Sequence, residues 1–208
     1  MSVSTLTPPN LSFEIRVPAS SIELVFPEGL SHDAFEELCF TNKQLRIERE
    51  PSGKIIIMSP VAPYSGDNEA EFIADLKLYA RQNGGRAYSS QVGFLLPDSS
   101  VRMPDASYVT EADAEKYTTE ELKHFVLLIP VFIVEVISPS DKLSVAKRKM
   151  TETWMANGVR LGWLVDVENE MLWIYRQDGS IETVSGFDRT IDGEDVIPGF
   201  EFDLRNLM

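Results

Sequence analysis

The sequence predicts an α/β fold: a mixed β-sheet with helices packed on it. Three observations carry this expectation. Val131–Ile137 is apolar at every position except Glu135, the pattern of a central strand covered on both faces. Leu161–Asp166 is a second buried strand of the same kind. Between and before them lie two helical stretches, an amphipathic one over about 67–82 and another ending near Asn157, which supply the covering layers.

The elements follow in chain order. The stretch from Met1 to about Ser20 is rich in Ser, Thr and Pro and predicts a flexible arm, leaving residues 21–208 as a single domain. Ile22–Phe26 predicts a short strand. Ser31 is placed to cap a helix with Ala34, Phe35, Leu38 and Cys39 at helical spacing. A hairpin follows, with Leu45–Glu48 and Lys54–Met58 joined by Pro51-Ser52-Gly53. In the helix over 67–82, Phe72, Ile73, Leu76, Tyr79 and Ala80 share a face, and Gly84-Gly85 ends it. Strands are expected at Arg86–Tyr88, Val92–Leu96 and around Met103–Val109, and short helices in the charged stretch Glu111–Lys123. After the central strand, Ser138-Pro139-Ser140-Asp141 predicts a helix cap, with Gly158 as the stop. Met171–Tyr175 and Ile181–Val184, joined by Gln177-Asp178-Gly179-Ser180, close the sheet.

Composition narrows the function classes. The chain has 208 residues, of which 43% are apolar, enough for a sizeable core and too many for wholesale disorder. Its formal charge of −14 excludes a broadly basic nucleic-acid binder, so work on phosphates needs a local basic patch or a metal ion. Cys39 stands alone and reads as a small buried hydrophobe, which fits a reducing compartment. The first residues lack a signal-peptide pattern, and the longest apolar run, Phe125–Ile137, is interrupted and too short to span a bilayer. The expectation is a soluble, cytoplasmic protein. His32 and His124 have no metal-type partners in sequence, no zinc motif occurs, and no glycine-rich phosphate loop is present, so neither zinc nor a nucleotide cofactor is expected.

Chemistry centres on Glu135. A carboxylate inside Val-Phe-Ile-Val-Glu-Val-Ile costs several kcal/mol, roughly, unless it is ion-paired, at a strand end, protonated or bound to metal. Alternation sets it on one face with Val131, Ile133 and Ile137, and sets Val134 and Val136 on the other. Asp105 follows Pro104 at a strand edge or bend, where it can meet Glu135 from a neighbouring strand or serve merely as a turn residue. The helix after Glu135 carries Lys142, Lys147, Arg148 and Lys149, either a solvated face or a source of cations for a phosphate backbone. Leu143, Ala146, Met150 and Trp154 define its inward face. At 100° per residue Lys147 lies about 55° from that face's centre and Lys149 about 105°, so periodicity ranks Lys147 first.

These residues form an ordered series that resembles the Uma2 family, a large bacterial group expanded in cyanobacteria and similar to restriction-endonuclease-type nucleases of the PD-(D/E)xK superfamily. The series is Ile55-Ile56-Ile57-Met58-Ser59-Pro60, Gly93–Pro97, Pro104–Val109, Phe132–Asp141, Lys149-Met150 and Asn157–Asp166. The resemblance spans about 22–204 and implies a restriction-endonuclease-like core with an N-terminal strand-helix-hairpin extension. It implies that Asp105 and Glu135 hold Mg²⁺, with Mn²⁺ as a substitute, aided by the Val136 carbonyl and waters. An acidic residue of the preceding helix joins such sites, and Glu69 or Glu71 fits; periodicity favours Glu69. The superfamily lysine two residues after the acidic one is missing, because Ile137 stands there. The resemblance places the lysine on the next helix at Lys149; periodicity makes Lys147 its rival, and Lys142, Lys147 and Arg148 are the basic groups read as holding DNA.

The leading expectation is therefore a Mg²⁺-dependent DNA endonuclease. The rivals are a non-catalytic binding or regulatory module on a nuclease scaffold and a hydrolase of another phosphorylated substrate. A homodimer is also expected if Trp163, Trp173 and Phe200 leave apolar surface exposed; the other reading of these aromatics is core packing.

Overall fold

The computed structural model describes residues 14–16, 21–139 and 141–207. The remainder of the expected arm and Ser140 of the expected helix cap lie outside the described residues. The chain divides into two compact units, one up to Ser59 and one from Pro60 onward.

The first unit is built on antiparallel strands around one helix. Strands β1 (Glu14–Arg16), β2 (Ser21–Val25), β3 (Arg46–Arg49) and β4 (Ile55–Met58) run in the order β1-β2-β4-β3. Strand β1 falls inside the segment read as an arm: Ile15 pairs with Leu24, and the alternating Phe13-Glu14-Ile15-Arg16-Val17 is the signal for it. Helix α1 (His32–Thr41) is capped as expected, the Ser31 hydroxyl accepting the Ala34 N–H at 3.2 Å. It buries Phe35, and the Arg49 guanidinium lies 4.8 Å from that ring.

Cys39 sits on α1, where burial pushes its thiol up to about 12. The nucleophilic thiolate is correspondingly scarce at neutral pH. Labelling by a disulfide reagent at pH 8 is expected to be at least about tenfold slower in the native protein than in urea. Equal rates would contradict the half-buried placement of the thiol.

The second unit holds the central sheet. Its strands are β5 (Arg86–Ser89), β8 (Ala106–Val109), β9 (Phe132–Val136), β10 (Leu161–Asp166), β11 (Met171–Arg176) and β12 (Ile181–Ser185), with β6 (Phe94–Leu95) and β7 (Val101–Arg102) paired as a short hairpin before β8. The sheet order is β12-β11-β10-β9-β8-β5. Strands β9 and β10 are parallel, and the other neighbours are antiparallel. A last hairpin pairs β13 (Thr190–Asp192) with β14 (Glu201–Asp203). The strand expected at 92–96 is confined to two residues, and β7 and β13 are too short to show a period.

The central strands alternate between two cores, which is why they read as apolar throughout. Phe132 and Val134 of β9, with Trp163 and Val165 of β10, pack on Phe72, Leu76 and Ala80 of helix α2 (Pro63–Asn83). Ile133 and Leu164 point the other way, toward Met150 and Trp154. Helix α2 starts one turn earlier than its apolar face suggests, because Pro63 at its first position suits a helix start; Gly84, at φ +83°, ends it. Val131 precedes β9 and packs with Val134, not with Glu135 as strict alternation predicts. Trp163, Trp173 and Phe200 are 0%, 7% and 2% exposed, so the core-packing reading of them holds and they offer no exposed apolar surface for dimerisation.

Short helix α3 (Glu111–Ala114) follows β8, and helix α4 (Leu143–Arg148) follows β9. The cap expected for α4 is different in detail. The Asp141 carboxylate accepts the Ser138 N–H at 2.9 Å and the Ser138 hydroxyl at 2.7 Å, closing a turn, and the helix begins after Lys142 without a side-chain cap. Among the described residues no helix is long and apolar enough to cross a membrane.

Asp98 ties the β6–β7 hairpin to the end of the helical stretch after β9. Its carboxylate accepts the Asn157 amide at 2.9 Å and the Ser100 hydroxyl at 2.6 Å, while Asn157 accepts the Asp98 N–H at 3.1 Å. Burial raises the Asp98 carboxyl, but hydrogen bonds from Ser100 and Asn157 and the charge of Arg102 outweigh it, leaving it below its ordinary value. A depressed folded value gives stability above the ordinary carboxylate range that is lost as pH falls through the folded value. Asp98→Ala is expected to cost about 1–2 kcal/mol at pH 7 and less near pH 3, read from melting curves at the two pH values.

Candidate active site

Strands β8 and β9 bring the two acidic candidates together. Their register pairs Ala106 with Val134, so Asp105, just before Ala106, lies beside Glu135, just after Val134. Asp105 is 8% exposed, and its Oδ2 accepts the Val136 N–H at 2.8 Å, while its own N–H donates to the Val134 carbonyl at 3.1 Å. The side chain thus continues the ladder where the strand ends, which the preceding Pro104 favours. Val136 meets Asp105 through its N–H, whereas its carbonyl is what the resemblance assigned to the metal.

Glu135 keeps an exposure of 13% and is bonded twice through Oε1. The Lys149 ammonium lies 2.7 Å from that oxygen, and the Trp154 indole N–H donates to it at 2.6 Å. A half-buried charge is stabilised by such paired, hydrogen-bonded contacts.

The two lysine candidates separate. Lys149 is on Glu135, whereas the Lys147 ammonium lies 4.0 Å above the Trp173 ring, a cation–π contact. The reason is local. Helix α4 ends at Arg148, and Lys149–Trp154 forms a π turn before a 3₁₀ turn at Met155–Asn157. Its wider bonding shows in Met155 N–H to Met150 carbonyl and in Val159 N–H to Trp154 carbonyl at 3.2 Å. The Thr151 hydroxyl competes for the carbonyls of Lys147 and Arg148, at 3.3 and 3.2 Å. Ranking at 100° per residue assumes an α-helix throughout, and the segment leaves it at Lys149. Gly162 of β10 lies beneath the turn: a Cβ there would come 2.6 Å from Met150 Cε.

The remaining candidates are placed as follows. Glu69 is buried on α2, the helix of the Phe72 and Leu76 core, and Glu71 is half-buried. Lys142 and Arg148 are exposed, and Arg148 lies 3.8 Å from the Glu152 carboxylate. The expected strip of cations is therefore divided among Glu135, Trp173 and solvent. A cleft of about 220 Å³ opens past the C-terminal ends of β9 and β10, lined by Tyr64, Ile137, Asp141, Leu143, Asp166 and Glu168 among others. Sequence reasoning missed Trp154 as a polar partner, since it took that residue only as a marker of the helix's inward face.

Among the described residues no group of three or more His, Cys, Asp or Glu side chains gathers as a metal site. Asp105 and Glu135, neighbours by strand register, each offer a carboxylate. That all-oxygen pair fits Mg²⁺, which keeps several waters and commonly takes one or two protein carboxylates.

A family model described as "Uma2: Putative restriction endonuclease" matches residues 32–205. A crystal structure described as "a putative nuclease belonging to DUF820 from Anabaena variabilis" matches at a TM-score of 0.68 and 18% identity, over 86% of this chain and 97% of that one. That likeness is one of fold, a restriction-endonuclease-like core with a mixed sheet and flanking helices. A search of the curated proteins gives no match.

Proposed function

This chain belongs to the Uma2 family, and we propose on that footing that it is a Mg²⁺-dependent endonuclease hydrolysing DNA phosphodiester bonds. The observation that carries the reading is the side-by-side placement of Asp105 and Glu135, with the Lys149 ammonium 2.7 Å from Glu135. In this reading Asp105 and Glu135 are the protein's share of the cation's oxygen shell, and Glu69 and Glu71 stay outside it. The chemistry such a cation supplies, when bound, is an activated water and neutralised charge at the scissile phosphate. Asp105 is held in place by the Val136 N–H, and Glu135 by the Trp154 N–H. Lys149, 25% exposed, is near enough to Glu135 to meet charge that develops on a phosphate oxygen there. Lys142 and Arg148 are the exposed cations that contact the DNA backbone. With a net charge of −14, DNA binding is weak and falls steeply with salt. The test is cleavage of plasmid DNA by the full chain with Mg²⁺ or Mn²⁺ and its loss in chelator; no cleavage under any of these conditions contradicts the reading.

One observation favours a second reading. The ion pair with Lys149 and the Trp154 N–H already compensate the burial of Glu135. That is what a non-catalytic binding module on a nuclease scaffold requires. Calorimetric titration separates the two: no heat with Mg²⁺ or Mn²⁺ together with binding of DNA or a protein partner selects the module.

A further inference from the structure

The π turn places two donors on one carboxylate oxygen. Lys149 and Trp154 are five positions apart, which on an α-helix sets them about 140° from each other. The i→i+5 bonding of the turn closes that angle. Both side chains then reach Oε1 of Glu135, at 2.7 and 2.6 Å, with the ammonium 5.8 Å from the indole ring centre.

The two donors differ in stiffness. Lys149 is a flexible chain with an exposure of 25%, whereas Trp154 is 0% exposed and packed in a core with Met150, Ile133 and Leu164. A buried, rigid indole fixes where its N–H points. Core packing alone does not demand this bond. Trp163, equally buried, has its indole nitrogen among aromatic rings with no hydrogen-bond partner. The acceptor chosen by Trp154 is the one carboxylate on the central strand β9.

We propose that Trp154 is a positioning residue: through the π turn, its indole N–H orients the Glu135 carboxylate for a divalent cation shared with Asp105. This rests on the reading of Asp105 and Glu135 as cation ligands. Partners that orient a ligand group strengthen metal binding, and their loss typically costs about 10–100-fold in affinity.

The test uses the full chain with Mn²⁺ as the probe, its free concentration followed by electron paramagnetic resonance. It also follows the ¹H–¹⁵N indole resonances of the three tryptophans. Trp154→Phe keeps an aromatic ring and removes the N–H, and it identifies the Trp154 resonance by its absence. Unmoved Trp163 and Trp173 resonances report that the variant is folded. The expected results are Mn²⁺ binding about 10–100-fold weaker in Trp154→Phe and a Trp154 resonance displaced by Glu135→Gln, in a protein where Trp154 is intact. Wild-type affinity in Trp154→Phe, or a Trp154 resonance indifferent to Glu135→Gln, overturns the positioning role. A wild-type protein that takes up no Mn²⁺ overturns instead the cation reading beneath it, and the two failures are told apart by that measurement.

Discussion

Asp105→Asn is expected to lower Mg²⁺-dependent DNA cleavage on the order of 10³-fold while leaving the melting temperature nearly unchanged. The substitution is nearly isosteric and retains a carbonyl oxygen to accept the Val136 N–H, now 2.8 Å from Oδ2. The end of the β8–β9 ladder therefore stays closed. What is lost is a negative charge beside Glu135, where the proposed cation requires it. Asp105→Ala is the poorer test, because it also orphans the Val136 N–H and mixes a stability cost with a chemical one. Single-turnover cleavage and thermal melts on the same preparations check both halves. Activity near the wild-type level in Asp105→Asn contradicts the site.

The second large effect separates the lysines. Lys149→Met is expected to reduce the rate constant at saturating DNA by about 10²–10³-fold, with a much smaller change in apparent affinity. It also removes the partner of Glu135, and at 13% exposure that costs about 1–3 kcal/mol after allowance for solvent. Lys147→Met removes instead a cation from the Trp173 face, costs about 0.5–1 kcal/mol and changes the rate at most a few-fold. Rates and denaturant midpoints for both variants decide between them. The reverse order of effects on the rate makes Lys147 the functional cation and removes Lys149 from the mechanism.

The contrast between those lysines marks where the sequence stops being legible. Glu135 was readable because a carboxylate in an otherwise apolar strand is a local anomaly that needs no partner to be noticed. Asp105 was weaker: Pro-Asp is common in turns, and only the β8–β9 register makes it Glu135's neighbour. Lys149 was beyond periodicity, because a helical wheel assumes a constant angle and the chain changes its bonding at that residue. The family resemblance placed the lysine there, whereas the wheel favoured Lys147. Trp154 was recognised as inward-facing, but a tryptophan's acceptor is a tertiary fact that composition does not carry. At the level of the fold, the central strands and the strand-helix-hairpin of the first unit were visible in apolar periodicity and turn residues. Strands β6 and β7 consist of two residues each, too few to display a period.

The charge of −14 acquires a location in this account. The cations after β9 do not form one continuous strip, since Lys149 is held by Glu135 and Lys147 by Trp173. Acidic groups meanwhile line the cleft beyond β9 and β10. A focused site with a bound cation is the arrangement that reconciles phosphate chemistry with such a surface.

Asp105 and Glu135 are proposed to share a divalent cation. Anomalous diffraction from crystals soaked in Mn²⁺ tests it most directly. A single strong peak between the two carboxylates, within oxygen-ligand distance of both, is the expected result. A peak elsewhere, or none while Lys149 and Trp154 remain on Glu135, contradicts it.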